Sequence, residues 1–499
     1  MGKTRVSANL QDNIHVFQDI YGAADDIKMR TLFLGENGKC ACFLAYQEVT
    51  LESEAWNDSE VGRLVAVLNA MPESEIASFL TEKGEEFSDQ EPLSYVEDAA
   101  QAMLTGCAVV FVDGYDHALK IQDKGYPSMG VDDSDSEKSV RGSNEAFTDS
   151  VKVNAALIRK RVRSTRVRVW SMTQGVRSHS LVYLVYMEDL ARPEVLAEIE
   201  RRLSCYEIDG VLDSGVLEQL SEEKWYSPFP QFQTTIRPDR AAMAILEGRI
   251  VLMVNGSPTA LILPTDWNSF LKTTDDYYVR FEEATFARVL RYFAAFFAMS
   301  LPGLYLAVTN FHTQLLPTPL LISFWQERMG VPFPAVVEVL LMEAAFELLR
   351  EAGVRLPGAM GNTIGIVGGL IIGSAAVDAN LVRPIVVIVV AFTALCSFSV
   401  PNEEFAFAFR ILKFFFIIMS AWLGFFGFLA ALTIVLIHLT KLQSFGIPYL
   451  MPFVAGDLNG YHDQRDFLWR FPLRKLTRRP IYAQEGERRK LRRSKDVFK

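Results

Sequence analysis

A long apolar run begins at residue 292 and reads Tyr292-Phe293-Ala294-Ala295-Phe296-Phe297-Ala298-Met299-Ser300-Leu301. No Asp, Glu, Lys or Arg occurs between residues 292 and 326. Because a helix needs about 20 apolar residues to cross the hydrocarbon core of a bilayer, this run predicts a membrane helix. Three more candidate spans follow at residues 361–377, 384–400 and 411–439. The C-terminal third therefore predicts an all-α polytopic membrane domain, which we place at residues 288–455.

The composition of the whole chain is that of a folded protein. Half of the 499 residues are hydrophobic and 22% are charged, which excludes a disordered chain. The five cysteines lack the spacing of a zinc site and cannot all pair, so neither a metal site nor a disulfide framework is predicted. The sequence contains no catalytic, dinucleotide-binding or phosphate-loop motif. We therefore predict no catalytic residues and no cofactor, and expect that the protein is not an enzyme.

An internal repeat divides the soluble region. Residues 102–119 align with residues 244–261, and eight of the eighteen positions are identical. Each copy places an Asp-Gly or Asn-Gly pair between two strand-like runs, which is a strong hairpin signal. We predict an α+β soluble region of two similar subdomains, an acidic one at residues 1–137 and a second one at residues 138–287.

A helix predicted over residues 336–351 carries acidic side chains at regular positions. Glu343, Glu347 and Glu351 recur every four residues and share one helix face, and Glu338 precedes them. One interpretation is an interfacial amphipathic helix whose polar face is solvated. The other is a helix inside the membrane domain whose acidic face lines a cation path. The sequence does not separate the two, and these four glutamates are the candidate ion pathway.

Four glycines at intervals of four mark one face of a predicted membrane helix, namely Gly361, Gly365, Gly369 and Gly373. A bare helix face lets another backbone approach closely. We expect this face to serve helix packing or, in a symmetric oligomer, to line a narrow pore.

Charge near the C-terminus predicts the orientation. Residues 464–499 hold 13 Lys or Arg against 4 Asp or Glu. Because positive segments stay in the cytosol, both termini are expected there, and residues 456–499 form a basic cytosolic tail that contacts anionic lipid or fixes the orientation. The net charge of −10 argues against a nucleic-acid binder. A second basic cluster at residues 159–166 could bind phosphates, but it is expected to pair with acidic neighbours or to face solvent.

Several specific strings resemble the A-subunit family of bacterial spore germinant receptors, of the GerA/GerB/GerK type. The resemblance covers about residues 138–455. The strings include Arg141-Gly142-Ser143-Asn144-Glu145-Ala146-Phe147-Thr148-Asp149, Ser227-Pro228-Phe229-Pro230, Glu327-Arg328-Met329-Gly330-Val331-Pro332-Phe333-Pro334 and Ser444-Phe445-Gly446-Ile447-Pro448-Tyr449.

The resemblance implies a function that composition and spacing do not. It implies a multi-pass protein of the inner spore membrane that assembles into a ring, for which a pentamer is expected, and forms a nutrient-gated cation channel. A transporter-like B subunit and a lipoprotein C subunit would be its partners. The alternative within the family is a non-conducting scaffold subunit of a germination or dipicolinate-release complex. A secondary transporter is disfavoured, because the membrane half shows no inverted repeat.

Overall fold

We describe a computed structural model of the chain. The structure describes residues 3–22, 24–49, 59–87, 92–122, 137, 141–328, 330–355, 359–454 and 465–491. It contains an α+β region followed by a helical region, as the sequence predicts.

The first subdomain is a four-stranded antiparallel sheet in the order β1-β2-β3-β4 with helices on both faces. On one face Phe17 packs against Phe43 and Phe111 of the sheet, and on the other face Leu64 packs with Leu44 and its neighbours. Its elements are α1 (Leu10–Tyr21), β1 (Ile27–Leu34), β2 (Cys40–Gln47), α2 (Glu60–Asn69), α3 (Glu73–Phe87), α4 (Val96–Met103), β3 (Ala108–Val112) and β4 (Ala118–Ile121).

The second subdomain repeats this plan with one added strand, in the order β5-β6-β8-β9-β7. The two predicted hairpins are β3–β4 and β8–β9, which turn at Gly114 and Gly256 with φ of 83° and 91°. Its elements are α5 (Val151–Arg161), β5 (Val167–Gln174), β6 (Ser180–Met187), α6 (Pro193–Leu203), α7 (Ser214–Ser221), β7 (Gln233–Thr235), α8 (Pro238–Leu246), β8 (Ile250–Val254) and β9 (Ala260–Leu263).

A buried ion pair joins the two subdomains. Arg159 donates from Nη2 to Oδ1 of Asp26 over 2.8 Å, and the two side chains are 1% and 6% exposed. Its neighbour Lys160 pairs with Glu145 at 2.7 Å. These residues of the basic cluster thus pair with acidic side chains, as the sequence predicts.

The helical region contains two helices, within the described residues, that are long and apolar enough to cross a membrane, α11 and α16. A shorter apolar helix, α15, packs beside them. The elements after the second sheet are α9 (Trp267–Leu271), α10 (Asp275–Tyr278), α11 (Phe281–Phe311), α12 (Thr318–Arg328), α13 (Ala335–Arg355), α14 (Ala359–Asp378), α15 (Pro384–Phe398) and α16 (Glu403–Lys441), then the short strands β10 (Gln443–Ser444) and β11 (Ile447–Pro448).

Helix α16 is folded back on itself, so the single span expected over residues 411–439 needs correction. Phe409 and His438 both pack on the ring of Phe229, with centroid distances of 6.1 and 6.2 Å. In a straight helix these two residues would lie about 43 Å apart. The break is at Gly424, whose φ of 64° and ψ of −137° are not helical. Residues 403–423 and 425–441 are therefore the two arms of a helical hairpin.

The helical region enters and leaves on the face that adjoins the second subdomain. At its entry, Arg288 of α11 donates from Nε to Asp276 at 2.8 Å. At its exit, His438 of α16 lies 2.8 Å from the hydroxyl of Ser227. The two ends of the helical region therefore share one side.

The C-terminal tail is docked at the same junction by Asp466. Its carboxylate accepts hydrogen bonds from Nζ of Lys272 at 3.0 Å, from the hydroxyl of Tyr277 at 2.6 Å and from Nη1 of Arg288 at 2.7 Å. Arg470 adds a bond to the backbone carbonyl of Val279 at 2.9 Å. The start of α11 is thus held between the second subdomain and the tail.

Candidate functional site

Two of the predicted glutamates meet a pair of cations between α13 and the first arm of α16. Lys413 donates from Nζ to Glu343 at 2.5 Å and to Glu347 at 2.8 Å. Arg410, one helical turn earlier, donates from Nε to the other oxygen of Glu347 at 2.9 Å. Glu343 and Glu347 are four residues apart on α13, and Arg410 and Lys413 are three residues apart on α16. The two glutamates therefore share one helix face and the two cations share another, so the four side chains interleave.

A second ion pair lies near the N-terminal end of α13. Glu338 accepts hydrogen bonds from the backbone nitrogen and Nε of Arg383 at 2.9 and 3.1 Å. The two side chains are 1% and 4% exposed. Arg383 is the residue before Pro384, the first residue of α15, so Glu338 fixes the start of that helix against α13.

Each of the two clusters contains as many carboxylates as cations, and most of their side chains are buried from solvent. Glu343 and Lys413 have side chains 1% and 5% exposed, and Glu347 is 19% exposed. Removing a charge from water costs several kcal/mol, and only a close partner of opposite sign offsets it. One oxygen of Glu343 nevertheless has no hydrogen-bond partner in the described part of the chain. Lys413 lies in α16, a helix apolar enough to cross a membrane. Ionisable groups in such helices are rare and are candidates for a functional role.

The end of α13 differs from its middle. Glu351 is exposed and is not part of the Lys413 cluster. Arg350 reaches α15, where Nη1 lies 3.3 Å from the hydroxyl of Ser397 and the guanidinium sits 4.9 Å from the ring of Phe398. The structure therefore brings Glu343 and Glu347 into one cluster. Glu338 instead pairs with Arg383 near the start of α13, and Glu351 lies exposed near its end.

The four glycines all lie in α14, but the side-chain surroundings of Gly361 and Gly365 fall outside the described residues. A Cβ at Gly369 would lie 3.7 Å from Leu349, and one at Gly373 would lie 3.5 Å from Val387, both ordinary contacts. The closest approach among these α14 positions is at Gly368, where a Cβ would overlap the side chain of Leu349. Within the described chain, the tight glycine contact with α13 is therefore made beside the predicted face.

Sequence reasoning missed the cations that complete the site. Arg410 and Lys413 stand as charged residues at the edge of an apolar run. Because a charged residue in a membrane segment usually pairs with another, their position could have indicated that they have acidic partners. In the part of the chain that the structure describes, no group of three His, Cys, Asp or Glu residues could hold a metal ion.

These features are those of a membrane protein that joins a two-sheet α+β region to long apolar helices and pairs buried charges between α13 and α16. Comparison with known families gives the particular group. The family model described as Bacillus/Clostridium GerA spore germination protein matches residues 15–482. The chain belongs to this GerA family of spore germination proteins, and the family resemblance is confirmed.

Curated relatives match over nearly the whole chain. The chain is 36% identical to the uncharacterized membrane protein YfkQ of Bacillus subtilis, over 97% of this chain and 93% of that protein. It is 35% identical to spore germination protein KA of the same organism, over 98% of this chain and 89% of that protein.

Solved structures give a further similarity. The crystal structure of the N-terminal domain of the A subunit of the Bacillus megaterium spore germinant receptor GerK3 aligns with 27% sequence identity and a TM-score of 0.41. The alignment covers 53% of this chain and 98% of that one.

Proposed function

We propose that the protein is the A subunit of a spore germinant receptor, which oligomerises as a ring in the inner spore membrane and acts as a nutrient-gated cation channel. A pentamer is the expected ring, with a transporter-like B subunit and a lipoprotein C subunit as partners. The proposal includes no catalytic activity. It is supported by membership of the GerA family and by relatives that are named spore germination proteins.

The observation that carries the channel proposal is the cluster of Glu343, Glu347, Arg410 and Lys413. Its carboxylates are held by cations of the same protomer at 2.5–2.9 Å. In a closed state these pairs keep the acidic groups neutralised. Opening would separate α13 from the first arm of α16, so that the carboxylates face permeating cations. Glu338 and Glu351 would flank this path.

Two further features fit the assembly. The glycine face of α14, from Gly361 to Gly373, would pack between helices or line the pore of the ring. The common side of the two ends of the helical region, together with the basic tail, favours a multi-pass topology with both termini in the cytosol.

The test is cation flux from liposomes that contain the protein with its B and C partners, with and without nutrient. Glu343→Gln and Glu347→Gln should each change the nutrient-dependent flux by about tenfold while the protein stays in the membrane. The matched control is Glu282→Gln, an exposed carboxylate in the first turn of α11.

Two results would count against this proposal in different ways. Unchanged flux in both glutamine variants would remove these carboxylates from the mechanism. Absence of flux from the wild-type complex, with a stable complex still formed, would favour the non-conducting scaffold. The scaffold is the second candidate because each carboxylate already has a cation partner within one protomer.

A further inference from the structure

A cavity of about 390 Å³ lies between the second subdomain and the C-terminal tail. Arg240, Arg249 and Lys272 belong to the wall that the subdomain supplies. The opposite wall comes from tail residues that lie about two hundred positions further along the chain. The cavity therefore exists only while the tail is docked through Asp466.

Positive side chains dominate the lining. Eight Arg or Lys residues contribute to it, against the three carboxylates of Glu247, Asp266 and Asp466. Two of these cations already have carboxylate partners, since Lys272 pairs with Asp466 and Arg240 pairs with Glu137. Asp466 also binds Arg288, and Asp266 accepts hydrogen bonds from the backbone nitrogen and hydroxyl of Ser269 as the cap of α9. The cavity thus carries an excess of positive charge.

The buried cation of the cavity has an unused donor. Arg249 is 4% exposed and donates from Nε to the carbonyl of Pro264 and from Nη1 to the side-chain oxygen of Gln233, both at 2.8 Å. Both acceptors are neutral, and Nη2 has no hydrogen-bond partner among the described residues. Neither acceptor neutralises the charge of the guanidinium, so Arg249 adds an uncompensated positive charge to the cavity wall.

The tail supplies cations that are open to solvent. Arg465, Arg474, Lys475 and Lys490 line the cavity and are exposed. None of these four forms an ion pair with a carboxylate in the described ranges. They line the same cavity as Arg249, so both walls contribute positive charge to one space.

From this arrangement we infer that the cavity is a binding site for a phosphate-bearing anion. Phosphate oxygens accept several charge-assisted hydrogen bonds at once, and arginine forks suit them. The volume lies within the range of about 300–1,000 Å³ typical of small-ligand sites. The bound anion ties the tail to the second subdomain, beside the start of α11.

Two sources offer this chemistry, a soluble phosphate compound and the headgroup of an anionic membrane lipid. The test uses the full-length protein at constant ionic strength with two probes. The first is pyrophosphate in solution, measured by calorimetry in detergent. The second is a pair of nanodiscs, one of phosphatidylcholine alone and one that also contains phosphatidylglycerol, in which the thermal midpoint of the protein is measured.

The test variant replaces Arg474, Lys475 and Lys490 by Gln. All three side chains are exposed, so the variant should fold. The control replaces Arg30, Arg63 and Arg177 by Gln, which removes the same charge from exposed positions outside the cavity. Whichever probe binds the wild-type protein should bind the test variant at least about tenfold more weakly. Its affinity for the control variant should change little.

Each outcome decides the inference. Pyrophosphate binding that depends on the cavity residues identifies a soluble ligand. An effect of phosphatidylglycerol that depends on them identifies a lipid headgroup. Equal losses in both triple variants, or no binding to either probe, would overturn the inference. These measurements do not involve ion flux, so they are independent of the channel proposal.

Discussion

The carbonyl oxygen of Met419 overlaps the position that a Cβ atom at Gly427 would occupy. These residues are eight apart and would lie about 12 Å apart along a straight helix. The contact exists because the chain reverses at Gly424, which places the two arms of α16 side by side. Glycine at position 427 is therefore required by the hairpin.

Substitution of that glycine should open the hairpin. Gly427→Ala puts a methyl group into the Met419 backbone, which cannot move as a side chain can, and should cost about 3 kcal/mol or more. The measurement is the thermal midpoint of the protein in detergent. Gly486→Ala is the control, since no atom lies within 4 Å of its added Cβ. Equal midpoints for the two variants would contradict the hairpin contact.

Removal of the shared cation should be more damaging than removal of the whole pair. Lys413→Met leaves Glu343 buried without its partner, which typically costs about 3–5 kcal/mol. The double variant Lys413→Met/Glu343→Gln removes the stranded charge and should recover part of that loss. A double-mutant cycle on thermal midpoints measures the coupling. Strict additivity of the two single effects would show that the ion pair contributes no coupling energy.

Docking of the tail should persist to low pH. Burial alone would raise the pKa of the Asp466 carboxyl, but the charges of Lys272 and Arg288 hold it well below its usual range. A carboxyl with a lowered pKa stabilises the fold above its ordinary pKa of about 4, and this stabilisation is lost as the pH falls through the folded-state value.

The tail segment after residue 465 should therefore stay protected from hydrogen exchange from neutral pH down to about pH 4, once intrinsic rates are corrected. Asp466→Asn should remove the protection at neutral pH. Asp116→Asn, at a side chain 70% exposed and outside this network, should leave it intact. A loss of protection in wild type between pH 7 and 5 would refute the assignment.

The ionisation of Glu218 in α7 should have the opposite effect, because it lowers the free energy of unfolding as the pH rises. Burial, and then the nearby carboxylates of Glu404 and Glu222, raise its pKa to about 8. An acid whose pKa is raised favours the fold while protonated, so this contribution falls as the pH rises from about 5 to 8. Glu218→Gln should flatten the thermal midpoint over that interval. A midpoint with the same pH slope in the variant would exclude Glu218 as its source.

The succession of an α+β region and an apolar helical region could be predicted from the sequence alone. Apolar runs and alternating strands report burial directly, and the Asp-Gly and Asn-Gly pairs specify tight turns, so both hairpins of the repeat were predictable. The acidic positions of α13 were predictable for the same reason, because helical periodicity alone places Glu343 and Glu347 on one face.

Only the tertiary structure decided what those positions meet. The partners Arg410 and Lys413 lie more than sixty residues away, and nothing local in the chain specifies that pairing. The reversal at Gly424 was equally hidden. The residues next to Gly424 are apolar, so the hydropathy profile predicts one continuous span. The backbone of Gly424 adopts a non-helical conformation that glycine tolerates readily, and this divides the span into two helices.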